Sequence, residues 1–148
     1  MKKIYLGEKK ENTIYDFRET CFGIVLKNNE FYLTEKNNEI SLIGGGIEEG
    51  ENNIETLKRE FMEEAGLTIL ECSNFITIDC FWKTKNNIDM ESLANFYIVK
   101  ISDDIKNNTE KESKLVKIPY NEISNILELP YQQKAIELFI DKKNNGFI

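Results

Sequence analysis

The chain has 148 residues, 41% of them apolar and 30% charged, with a formal net charge of −7 and an isoelectric point near 4.8. That is enough apolar material to bury a core as one domain over residues 1–148 without disulfide or metal staples. The anionic surface repels a nucleic-acid backbone and anionic lipid, and no apolar run is long enough to span a bilayer, so neither long nucleic acid nor membrane is expected as a partner.

In chain order, Met1-Lys2-Lys3 is followed by too short an apolar run for a signal peptide, and a cytoplasmic location is expected. Arg18 opens the first long strand. Residues 20–26 and 31–34 read as a hairpin joined through Asn28-Asn29, with 41–43 as a short following strand. Beyond a helical segment, 75–82 and 93–101 make a second strand pair, and 114–118 a last strand. Ala135, Leu138 and Phe139 recur at the spacing of an amphipathic helix over 131–143. Four asparagine pairs, at 28–29, 37–38, 86–87 and 107–108, punctuate these segments, because asparagine tolerates the left-handed backbone that turns require.

Cys21, Cys72 and Cys80 lie in apolar stretches without the close pairing of a zinc site and read as buried free thiols. The chain has no histidine, so imidazole catalysis is excluded and any chemistry falls to carboxylates, hydroxyls, thiols, cations or metal.

The middle segment is different in kind. Asn52 can cap a helix whose third residue is Glu55, and Gly66 is a natural left-handed stop, which predicts a helix over 53–65. Ile54, Leu57, Phe61 and Ala65 form its apolar stripe. Glu60, Glu63 and Glu64 fall on the flank beside that stripe, spaced three and four apart. Two like charges held ~4 Å apart cost about 4 kcal/mol at an effective dielectric near ~20, so a cation is expected among them. Oxygen ligands suit magnesium or manganese better than zinc. Ahead of the helix, Gly44-Gly45-Gly46 lets backbone approach an ion or phosphate closely, Glu51 adds a fourth acid, and Arg59 can orient or partly neutralise the carboxylates.

Gly45, then Glu51, then Arg59-Glu60-Phe61-Met62-Glu63-Glu64-Ala65-Gly66-Leu67 resembles the Nudix box at every specified position, with its spacings of five and seven residues intact. The family often has proline before the glycine run, where this chain has Ile43. The resemblance implies an α/β (α+β) fold, an α/β/α sandwich with a mixed, curved sheet between helices. It implies a hydrolase acting on phosphorus-containing acid anhydrides, cleaving a diphosphate linkage in a nucleoside di- or triphosphate or a derivative.

In that scheme Glu60, Glu63 and Glu64 hold Mg2+ or Mn2+ with the Gly45 carbonyl, while Arg59 and Glu51 buttress the loop and helix, and Gly44 and Gly46 support it. The water proton goes to Glu60, or to Glu110 or Glu112 in the loop before the last strand. Arg18 is the expected phosphate-binding cation, and Phe81 or Trp82 the ring that stacks on a base. The family's marker for ADP-ribose hydrolases, a proline about fifteen residues past the box, is missing, as is the tyrosine marking dinucleoside polyphosphate hydrolases. Nucleoside triphosphate clean-up is then favoured, with nucleotide sugars and capped RNA ends behind it. A homodimer is left open. The competing reading is a catalytically silent Nudix-fold module that binds nucleotide or regulates.

Overall fold

Nine strands and two α-helices are present in the computed structural model, which describes residues 2–148. The strands are β1 (Lys3–Leu6), β2 (Asp16–Ile24), β3 (Leu26–Lys27), β4 (Glu30–Lys36), β5 (Glu39–Ser41), β6 (Ile43–Gly46), β7 (Ile69–Lys83), β8 (Asp89–Ile101) and β9 (Ser113–Pro119). Helix α1 (Asn53–Ala65) lies between β6 and β7, and α2 (Pro130–Asn144) follows β9. A mixed sheet runs β1-β7-β8-β2-β6, parallel at β1–β7 and β2–β8 and antiparallel elsewhere. A second, antiparallel sheet places β3, β5 and β9 on β4.

Each face of the mixed sheet buries its own core. Leu57, Phe61 and Ala65 of α1 pack with Cys21, Ile43, Tyr97 and Val99 on one side. Tyr131, Ala135, Ile136 and Phe139 of α2 pack with Phe22, Ile24, Ile78 and Phe96 on the other. The fold is therefore α+β, with a mixed sheet between two helices, as expected.

Helix α1 begins and ends as the sequence predicts. The Asn52 side chain accepts from the Glu55 amide, the Glu55 carboxylate accepts from the Asn52 amide, and Gly66 stops the helix at φ 64°. Two asparagine pairs make two-residue hairpin turns with positive φ at both positions, Asn28-Asn29 between β3 and β4 and Asn37-Asn38 between β4 and β5. At the third pair only Asn87 is left-handed. Asn108 instead bonds its own loop, its side chain donating to the Glu110 and Ser113 carbonyls.

The hairpin over 20–34 divides between the two sheets. Its turn is where it was expected, but β2 stops at Ile24 and only Leu26-Lys27 pair with β4. β2 itself lies between β8 and β6 in the mixed sheet. Residues 20–25 are buried without interruption, so no alternation marks the point where the chain changes sheets. β1 and the first halves of β7 and β8 extend the mixed sheet beyond the predicted strands. Cys21 and Cys80 are buried thiols, whereas Cys72 is half-buried.

Candidate active site

β6 is an edge strand of the mixed sheet, and α1 packs across it. At Gly45 the approach is so close that an added Cβ would lie 2.7 Å from Glu60 Oε1, so any side chain there would push the carboxylate from the strand. One residue earlier the Gly44 amide donates to Glu64 Oε1 at 3.0 Å. Ile43, where the family often has proline, is fully buried against α1. An apolar anchor thus holds the start of the glycine strand.

Arg59 is the hub of the carboxylates. Its Nε and Nη2 fork onto Glu51 Oε2 and Oε1 at 2.6 and 3.0 Å, and Nη2 also donates to the Gly46 carbonyl at 3.1 Å. Nη1 reaches Glu60 Oε1 at 2.9 Å and Glu63 Oε2 at 3.2 Å. A planar guanidinium can meet all these partners at once, which a lysine cannot. Glu51 also accepts from the Glu48 amide and the Thr56 hydroxyl. These contacts, the Arg59 fork foremost, hold its carboxyl down at about 2.

The other acids shift the opposite way. Burial pushes Glu64 up to about 8, against the Gly44 amide and with help from Glu60 and Glu110. Burial also raises Glu60, opposed by Arg59 and reinforced by Glu63 and Glu110. The loop leading to β9 is tied to this helix end. The Glu110 amide donates to the Glu63 carbonyl at 2.8 Å, and the Ser113 hydroxyl to the Glu64 carbonyl at 3.0 Å. Glu110 makes an ion pair with Lys36 of β4, which raises the lysine pKa. Glu112 is exposed and its charge is felt only weakly, at Lys36.

Arg18 lies on the far side of the edge strand from the carboxylates. Its guanidinium is 3.0 Å from where a Cβ on Gly46 would be, whereas the Cβ direction of Gly45 points at Glu60. Trp82 and Phe81 likewise part. Trp82 faces α2, donates from Nε1 to Ser92 Oγ at 2.9 Å, and meets the Tyr131 ring edge-on with centroids 6.0 Å apart. Phe81 points the other way and packs edge-on against Tyr15 at 5.2 Å. The Tyr131 hydroxyl, pushed up to about 12 by burial, feels the opposing charge of Arg18. Thr20 shares this face, and its buried hydroxyl has no hydrogen-bond partner among the described residues.

A family model described as NUDIX domain matches residues 17–139, most of the chain. The chain belongs to the NUDIX family. It is 37% identical over 73 residues to an 8-oxo-dGTP diphosphatase of Buchnera aphidicola subsp. Schizaphis graminum (strain Sg), a match covering 45% of this chain and 56% of that protein. The match thus spans little more than half of that relative. Among solved structures, a NUDIX hydrolase from Nitrosomonas europaea superposes with a TM-score of 0.68 at 18% identity, covering 86% of this chain and 91% of the other. A MutT NUDIX hydrolase from Burkholderia pseudomallei gives 0.68 at 17% identity, covering 82% and 97%. At these identities the two structures establish the fold.

The donors of this NUDIX chain fit a hard divalent ion. They are carboxylate oxygens beside a glycine backbone, and burial penalises the charged forms of two of them. Arg59 draws Glu60 and Glu63 to itself while Glu64 bonds the Gly44 amide, so among the described residues no three acids are arranged to hold one ion. Sequence reasoning missed Lys36, whose partner Glu110 is 74 residues away and leaves no local signal. It also missed Tyr131 and Gln132. Gln132 did carry a signal, since a polar residue falls on the apolar stripe of α2, three positions before Ala135.

Proposed function

We propose that this chain hydrolyses a diphosphate linkage in a nucleoside di- or triphosphate or a derivative with magnesium or manganese. Nucleoside triphosphates cleared as damaged or surplus are the favoured substrates, ahead of nucleotide sugars and capped RNA ends. The observation that carries this reading is the pair of partly buried acids, Glu60 and Glu64, brought against the glycine strand with a single arginine among them. Acids held there without a cation are driven toward the protonated form. The match to an 8-oxo-dGTP diphosphatase supports a triphosphate substrate.

Glu60, Glu63 and Glu64 would hold the cation with the Gly45 carbonyl, with Glu60 and Glu63 releasing Arg59 Nη1 to do so. When bound, the ion supplies positive charge to the diphosphate oxygens and makes a water acidic enough to attack. Arg59, gripped by Glu51, keeps the glycine strand and helix in register. Glu110 or Glu60 takes the water proton, with Lys36 holding Glu110 in place. A substrate lying across the β6 edge would meet Arg18 with a phosphate and find Trp82, Tyr131 and the Thr20 hydroxyl beside its base. A cytoplasmic location and folding of residues 1–148 as one domain belong to the same proposal, and it leaves a homodimer open.

One observation favours the silent-module reading: Arg59 Nη1 bonds both Glu60 and Glu63, the carboxylates that would have to turn to a cation. The two readings separate on a panel of nucleoside di- and triphosphates, nucleotide sugars and dinucleotides incubated with magnesium or manganese. Release of phosphate or diphosphate from one class is expected. Tight nucleotide binding with every panel member left intact would establish the module instead.

A further inference from the structure

We propose that Gln132 is a positioning residue for the carboxylate site, a role that rests on the hydrolase reading above. The chain leaves the second sheet at Ser41 and enters the mixed sheet at Ile43, so Leu42 belongs to neither ladder. Leu42 is 1% exposed, and its amide would be stranded without a partner. Gln132, on the first turn of α2 and itself 1% exposed, accepts that amide on Oε1 at 2.8 Å. Its Nε2 donates to Ser41 Oγ at 3.1 Å, so both ends of the side-chain amide grip the same crossing.

Two residues further on, the Gly44 amide donates to Glu64 of α1. The strand that must lie beside the carboxylates is therefore hung between the helices, from Gln132 on one side and Glu64 on the other. Glutamine has the length and the paired donor and acceptor for this. An apolar residue on the α2 stripe would fill the space but release the crossing. Displacements of ~1 Å at a reacting centre can cost on the order of a hundredfold in rate, so the hold matters well beyond the backbone it completes.

The test is Gln132→Met, which keeps the length and loses both polar atoms, with amide hydrogen exchange of the metal-free protein and steady-state kinetics on dGTP with magnesium. Exchange at Gly44 should quicken by about tenfold or more while Ile78 and Ala94, deep in the mixed sheet, keep their protection. The kcat should fall by about tenfold or more with KM within about twofold. Gln132→Asn, one methylene shorter, serves if the methionine variant does not fold, and should show the same pattern. A lower melting temperature with Gly44 exchange and kcat unchanged overturns the proposal, because a purely structural residue would behave so. Wild-type protein that hydrolyses no nucleotide defeats the hydrolase reading and leaves Gly44 exchange to decide whether Gln132 holds the strand.

Discussion

Arg59 grips Glu51 with two nitrogens, Nε to Oε2 at 2.6 Å and Nη2 to Oε1 at 3.0 Å, leaving Nη1 for Glu60 and Glu63. The loop acid thereby sets where the arginine sits, and the arginine sets where the helix acids sit. Arg59→Lys keeps the charge but cannot make the fork. Its kcat should fall about tenfold to a hundredfold with the far-ultraviolet circular dichroism unchanged. Wild-type kcat in that variant would show that the fork is dispensable.

Glu64 gives the metal-free protein a pH-dependent stability of definite sign. Its pKa rises from 4.5 to about 8 on folding, so the folded state binds more protons than the unfolded state between those values. Its contribution is favourable at low pH and is lost as pH rises from 4.5 through about 8. Glu51, lowered to about 2, acts in the other direction and contributes stability that is lost as pH falls below 4.5. Urea melts in chelator should show the midpoint dropping between pH 5 and pH 9, and Glu64→Gln should flatten that slope. Equal slopes in the two proteins would remove Glu64 as the cause.

Glu110 and Glu112 are two residues apart, yet only Glu110 faces the helix acids. Glu110→Gln should lower kcat by about a hundredfold if this carboxylate takes the water proton, and Glu112→Gln should leave it unchanged. A harmless Glu110→Gln would leave Glu60 as the base.

Arg18 stands across the β6 edge from the carboxylates with no ion pair among the described residues. A phosphate clamp there predicts that Arg18→Ala raises KM by an amount equivalent to about 1.5 to 3 kcal/mol, and that Arg18→Lys recovers little of it. Unchanged kinetics would move the clamp to Lys83 or Lys85.

Local chemistry was legible in the sequence. The α1 boundaries followed from Asn52, Glu55 and Gly66, because caps are contacts within a few residues. The likeness of Gly45 to Leu67 to the Nudix box likewise depended only on spacing. What crosses the fold was not legible. The change of sheets at Val25 lies inside a run buried on both sides, where periodicity carries no signal. Phe81 and Trp82 stood as alternatives, because which of them faces Arg18 depends on how β7 pairs with β8. The meeting of Lys36 with Glu110, and of Gln132 with Leu42, depends on how the two sheets and α2 are arranged in space.

The central claim, that the helix acids act together with a divalent metal, is tested most directly by Glu63→Gln and Glu64→Gln assayed on a hydrolysed nucleotide with magnesium, beside wild-type protein in chelator. Each substitution removes a ligand charge while nearly preserving shape. Turnover should fall by orders of magnitude in both variants and vanish in chelator, with folding intact. Full activity in chelator or in the double variant would contradict the account.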